Sequence, residues 1–172
     1  MDISRATTFN NPTIQEGRTT PTGECIVLWK SSSSATIRCP VIWSLDKETG
    51  WLYFNETVHG RILRMDTKTG IKLKDLGRLN EPLEAHWEMH EVMWEVFVDQ
   101  GLVEPVCITV ADGTLFVSDH GTGDIIAFDA ERKGEVGRVT VGTGIRGITI
   151  GPDNKLWFAN YDMNQVLRLD PR

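Results

Sequence analysis

Three stretches of the chain set a short apolar run before a polar end to the same plan. Trp51-Leu-Tyr-Phe-Asn-Glu56, Thr114-Leu-Phe-Val-Ser-Asp119 and Lys155-Leu-Trp-Phe-Ala-Asn160 each set a polar side chain four residues beyond an aligned leucine. A polar loop follows each, and then a second apolar run at residues 62–65, 125–128 and 166–169, closing on Asp66, Asp129 or Asp170. Shorter β-type runs precede them at residues 41–45, 106–110 and 147–150. The intervening segments 46–50, 111–113 and 151–154 carry the Gly, Pro, Asp and Asn residues that hairpin turns require. Short runs rich in β-branched and aromatic residues between such turns predict strands. Fourth strands are expected at residues 72–76 and 135–141. Four short antiparallel strands per repeat form the blade of a β-propeller, so the fold class is all-β.

Leu115 and Leu156 stand 41 residues apart, the period of one four-stranded blade. Leu52 and Leu115 stand 63 apart, so an insertion falls within residues 80–101. The expected organisation is a flexible arm over residues 1–23 and a partial propeller over 24–172. Its blades lie at about 40–79, 102–141 and 142–172, and residues 24–30 are a candidate closing strand for the last. About three blades are visible, whereas a closed ring needs at least four. The chain therefore reads as a partial propeller, or as half of a homodimer completing a six-bladed ring. The insertion admits two readings. Glu84, Glu88, Glu91 and Glu95 line up opposite Leu83, Trp87, Trp94 and Val98 with the period of a short amphipathic helix, while the crowding of Val, Trp and Phe over 92–98 suits a strand.

Residues 105–119 (Pro-Val-Cys-Ile-Thr-Val-Ala-Asp-Gly-Thr-Leu-Phe-Val-Ser-Asp) and 146–160 (Arg-Gly-Ile-Thr-Ile-Gly-Pro-Asp-Asn-Lys-Leu-Trp-Phe-Ala-Asn) resemble NHL-type repeats. The wider group is the six-bladed propellers, including gluconolactonase/SMP-30-like and strictosidine synthase-like proteins. The resemblance covers about residues 40–79 and 102–172. It implies blade architecture and leaves activity open, since that group spans lactonases, lyases and interaction platforms.

Propeller geometry puts the loops between second and third strands on one face, together with the inter-blade linkers. That face is expected to carry Asn55, Glu56 and His59, then Ser118, Asp119 and His120, then Asn160, Tyr161 and Asp162. With His86 and His90 of the insertion, all four histidines are expected there. Glu56, Asp119 and Asn160 share one repeat position. Oxygen ligands from successive blades are the donor set for a hard cation such as Ca²⁺, and the resemblance to SMP-30-like lactonases implies such an ion. The competing reading is that each side chain caps its own turn. His59 and His120 are the candidate acid/base residues, and His86 with His90 a weaker Zn²⁺ pair at helical i, i+4 spacing. Asn55, Ser118, Tyr161, Trp87 and Trp94 are candidate binding-face residues, while Trp29, Trp43, Trp51 and Trp157 are assigned to the core between blades.

Charge narrows the partners. A net charge of −6 with no Lys/Arg cluster excludes a nucleic-acid footprint. Cys25, Cys39 and Cys107 are odd in number and far apart, which fits thiols in a reducing compartment. No apolar run is long enough to cross a bilayer, and a cytoplasmic protein without membrane contact is expected. The sequon at Asn55 then has no use. Together these features favour a platform for a protein or small-molecule ligand. The alternative is a metal-dependent hydrolase or lyase of the lactonase type, with Ca or Zn as its divalent ion.

Overall fold

The computed structural model describes residues 7–9, 42–77 and 86–170. In chain order the described strands begin with β1 (Thr7–Phe9), β2 (Trp43–Leu45), β3 (Trp51–Glu56), β4 (Arg61–Asp66) and β5 (Ile71–Gly77). They continue with β6 (His86–His90), β7 (Trp94–Val98), β8 (Pro105–Ala111), β9 (Thr114–Asp119) and β10 (Asp124–Asp129). The last are β11 (Glu135–Thr140), β12 (Ile145–Ile150), β13 (Leu156–Asn160) and β14 (Gln165–Leu169).

Three antiparallel sheets form successive blades of a partial β-propeller. Blade 1 runs β2-β3-β4-β7, blade 2 runs β8-β9-β10-β11, and blade 3 runs β12-β13-β14. A further three-stranded sheet runs β1-β6-β5, with β1 parallel to β6. The aligned leucines hold one register position throughout: Leu52 faces Met65, Leu115 faces Phe128, and Leu156 faces Leu169. The repeat seen in sequence is thus a repeat in space.

Strand alternation sends neighbouring side chains to opposite faces, and this builds two apolar layers. Tyr53, Ile62 and Phe97 of blade 1 meet Ile108, Leu115, Val117, Ile126 and Phe128 of blade 2. The other face of blade 2, with Cys107, Phe116 and Ile125, meets Ile145, Ile148, Leu156 and Phe158 of blade 3. Each such side chain contributes about 1.5–3 kcal/mol on burial.

A charged clamp crosses the first layer. Arg64 is buried, donates from Nη1 to the Ala130 carbonyl of blade 2 at 2.7 Å and from Nε to Glu95 at 2.8 Å, and stacks 4.2 Å from the Trp51 ring. Lys133 of blade 2 reaches the same carboxylate at 2.8 Å. These cations hold the Glu95 carboxyl below its ordinary range, Lys133 contributing most, while burial pushes the Tyr53 phenol up.

Three expectations are corrected. The insertion holds no helix among the described residues: His86–His90 and Trp94–Val98 are strands. The free edge of β4 decides this, because β7 pairs along it and adopts period 2. Trp94 and Val96 then pack with Phe54 and Leu63 on one face, while Glu95 and Phe97 turn to Arg64 and the first layer on the other. Second, the outer strand of blade 1 is therefore β7, and residues 72–76 belong to β5, paired with β6 instead. Third, Trp43 is 53% exposed and so is not part of the core between blades. The candidate closing strand at 24–30, with Trp29, lies outside the described residues. Among those residues no helix is long and apolar enough to cross a membrane.

Candidate functional site: the loop face

The turns 57–60, 120–123 and 161–164 join second to third strands, and the linkers 99–104 and 141–144 enter blades 2 and 3. They interlock along one edge of the three sheets. Asn55 Nδ2 and Thr57 Oγ1 both donate to the Pro105 carbonyl, at 2.8 and 2.6 Å. His120 N donates to Glu104 O, Val141 N to Gly123 O, and Tyr161 N to Gly144 O. Two glycines permit the close approach. A Cβ on Gly60 (φ 59°) would stand 2.9 Å from the Leu102 carbonyl oxygen, and one on Gly123 (φ 75°) would stand 2.7 Å from the Gly142 carbonyl carbon. Only glycine meets both the left-handed backbone and the missing space.

The matched trio is buried beneath this arc. Glu56, Asp119 and Asn160 are each the last residue of their strand and at most 1% exposed. Asp119 accepts backbone N–H groups from Glu104, Gly121 and Thr122 on Oδ1, at 2.9–3.1 Å, and from Val103 on Oδ2 at 2.6 Å. One carboxylate thus ties a turn to the linker entering its own blade. Asn160 does the same for blade 3, accepting from Met163 N at 3.0 Å and donating to Thr143 O at 2.9 Å. Glu56 differs. Its Oε2 is paired with Arg61 Nε, whereas Oε1 meets no donor in hydrogen-bonding geometry and has His59 Nδ1 2.9 Å away.

The structure therefore brings Glu56, His59 and Arg61 together and keeps the other candidates apart. His120 is half-buried, and its Nδ1 has no hydrogen-bond partner. His90 ends β6 opposite Ile71, near where Asp66 N bonds Met93 O at the far end of blade 1 from His59. The expectation of four histidines on one face does not hold. His86 and Trp87 lie on β6, and four residues along a strand separate backbones by about 13 Å, so the helical pairing of His86 with His90 lapses. Asn55 and Ser118 are fully buried, with Asn55 accepting from Ile42 N at 2.8 Å and Ser118 donating to Cys107 O at 3.3 Å. Trp94 packs in the blade 1 cluster with Phe54 and Leu63. Tyr161 is 76% exposed on its turn. Among the described residues no three His, Cys, Asp or Glu side chains gather closely enough to hold a metal ion.

Sequence reading missed the feature that marks this face. Val58, Val103, Tyr161 and Met163 are exposed, each on one of the turns or linkers of this edge. The available signal was an apolar residue placed inside a polar turn. A groove of about 340 Å³ lies on the opposite edge, lined by Trp43, the 45–48 turn and residues 109–113, away from these side chains.

No protein-family profile matches the chain, and no curated protein matches it by sequence. Solved structures do. A regucalcin from Agrobacterium tumefaciens, described as calcium-binding, superposes with TM-score 0.55 at 18% identity over 88% of this chain and 52% of its own. A luciferin-regenerating enzyme superposes with TM-score 0.53 at 10% identity, over 83% of this chain and 41% of its own. The chain spans about half the length of these structures or less. The fold that the chain shares with them is that of part of a β-propeller.

Proposed function

We propose that the chain is a binding platform that takes a protein ligand on its loop face. The observation that carries this reading is the set of exposed apolar side chains, Val58, Val103, Tyr161 and Met163, on segments held in place by Thr57 on the Pro105 carbonyl, by buried Asp119 and by buried Asn160. Exposed apolar groups on rigidly scaffolded loops are the usual makings of an interaction surface. The test is selection of displayed peptides against the purified chain. Selected peptides are expected to lose affinity by about tenfold or more with Val103→Glu or Tyr161→Ala, and to keep it with Val136→Glu on the outer strand of blade 2. Binding indifferent to the loop-face changes would refute the platform.

The alternative, a metal-dependent hydrolase or lyase, needs the matched oxygens free. Asp119 and Asn160 have theirs bonded to backbone N–H groups, and Glu56 is paired with Arg61. The trio does not fit a shared cation in this arrangement. Only the unbonded Glu56 Oε1 beside His59 speaks for that chemistry. Calorimetric titration with Ca²⁺ and Zn²⁺ decides the matter: stoichiometric binding lost in Glu56→Gln would restore the enzyme reading.

A further inference from the structure

The loop face is charged with one sign. Its turns 57–60, 120–123 and 161–164 and its linkers 99–104 and 141–144 carry Asp99, Glu104 and Asp162, and no Lys or Arg. Asp99 and Asp162 are exposed and Glu104 is half-buried. His59, His120 and Tyr161 are the remaining titratable groups on these segments.

The strand ends beneath add to this charge. Asp119 is fully buried, and its carboxylate takes four backbone N–H groups and forms no ion pair among the described residues. Glu56 is fully buried too. Arg61 meets its Oε2, but Oε1 has no hydrogen-bond donor and lies 2.9 Å from His59 Nδ1 on the turn above. Charges held away from water are screened far less than exposed ones, so their field reaches the surface over them. The neighbouring cations offset little of it. Arg61 is held on Glu56, and Arg138, which donates to the Gly101 carbonyl at 3.3 Å, is held by Asp124 and Glu135, each at 2.8 Å. Arg146, exposed two residues beyond the 141–144 linker, is one cation against Asp99, Glu104, Asp162 and Asp119.

We infer that the partner on the loop face is a basic, amphipathic protein segment. Its apolar side chains cover Val58, Val103, Tyr161 and Met163, and its Lys or Arg side chains turn to Asp99, Glu104 and Asp162. This rests on the platform reading above and adds the class of partner to it. The apolar contacts hold the complex, while the single-signed charge selects the partner and speeds encounter. The ring of Tyr161, 76% exposed, also offers its face to a guanidinium. An acidic segment would meet like charge across the whole face.

Peptides selected by display against the purified chain test this, with association rates then measured by stopped-flow fluorescence. The selected peptides are expected to be rich in Lys and Arg beside their apolar residues. At about 0.15 M salt, where screening sets in beyond about 8 Å, Asp99→Lys combined with Asp162→Lys should slow association by about fivefold or more. Glu48→Lys combined with Glu131→Lys makes the same change in net charge on turns at the opposite edge and should alter it by less than about twofold. Unchanged circular dichroism confirms that the variants fold, and the wild-type rate should fall steeply with added salt without any substitution. Selected peptides with no excess of Lys and Arg that still lose binding with Tyr161→Ala would overturn this inference and leave the platform standing. So would a rate indifferent to salt, or slowed equally by both pairs of changes. Peptides indifferent to Tyr161→Ala, or a selection that yields none, would remove the platform and this inference with it.

Discussion

Ile125 in blade 2 and Val166 in blade 3 occupy the same register position, paired with Ser118 and Ala159 on the strand beside them. One is 3% exposed and the other 71%. Both residues are β-branched and apolar, so the residue type alone does not make this difference. Asp124-Ile-Ile-Ala-Phe-Asp129 and Gln165-Val-Leu-Arg-Leu-Asp170 each place a β-branched residue at this position and differ two residues on, where Ala127 corresponds to Arg168. Among the described residues blade 2 is packed on both faces and blade 3 on one, so burial here belongs to the neighbour rather than to the pattern. A sheet face becomes core only when a second layer covers it.

The largest test of that contrast is Ile125→Ala. It empties part of the layer shared with Ile145, Ile148 and Phe158, and is expected to destabilise the chain by about 3–4 kcal/mol. Urea unfolding with a two-state fit measures it. A loss below about 1 kcal/mol would mean that the second layer is loosely packed.

Next comes the pair of turn clamps. Asp119→Ala strips the acceptor from four backbone N–H groups in blade 2, at an expected cost of about 3 kcal/mol, against about 1 kcal/mol for Asn160→Ala with one accepted and one donated bond. Amide hydrogen exchange should locate the damage at Val103 and Glu104 in the first case and at Met163 in the second. Equal losses would remove the distinction drawn between a charged and a neutral clamp.

A smaller effect separates the blades by pH. The Thr140 hydroxyl, and after it the Arg138 guanidinium, hold the Asp124 carboxyl below its usual range. A group whose folded pKa is depressed contributes stability above its unfolded pKa, about 3.9 for Asp, and loses it as pH falls through the folded value. Blade 3 carries Gln165 at this position, which does not titrate. Asp124→Asn should therefore lower the urea midpoint at pH 7 and flatten its decline between pH 4 and pH 2. A parallel decline in both proteins would show that the Asp124 contacts do not form in solution.

The blade was legible from sequence because period 2, turn chemistry and the aligned leucines all pointed the same way. Glu56, Asp119 and Asn160 were correctly matched, since the same hairpin encloses each of them. What those side chains touch was not legible: the four N–H groups on Asp119 come partly from a linker 15 and 16 residues upstream. The insertion stayed ambiguous for a related reason. Residues 83–98 carry a helical stripe and a strand pattern at once, and only the vacant edge of β4, a tertiary fact, selects the strand. Exposed Val58, Val103 and Met163 escaped notice because single apolar residues in turns carry little weight until several are found on one face.

The smallest expected effect is the most exacting for the comparison. Val166→Ala removes two methyl groups from the position where Ile125 is buried, yet in the single chain those methyls already face solvent. Stability at concentrations where the chain is monomeric should therefore shift by no more than about 0.5 kcal/mol, measured by the same urea titration as Ile125→Ala. With a loss nearing that of Ile125→Ala, Val166 would have to be buried within one chain, and the contrast between the two blades would fall.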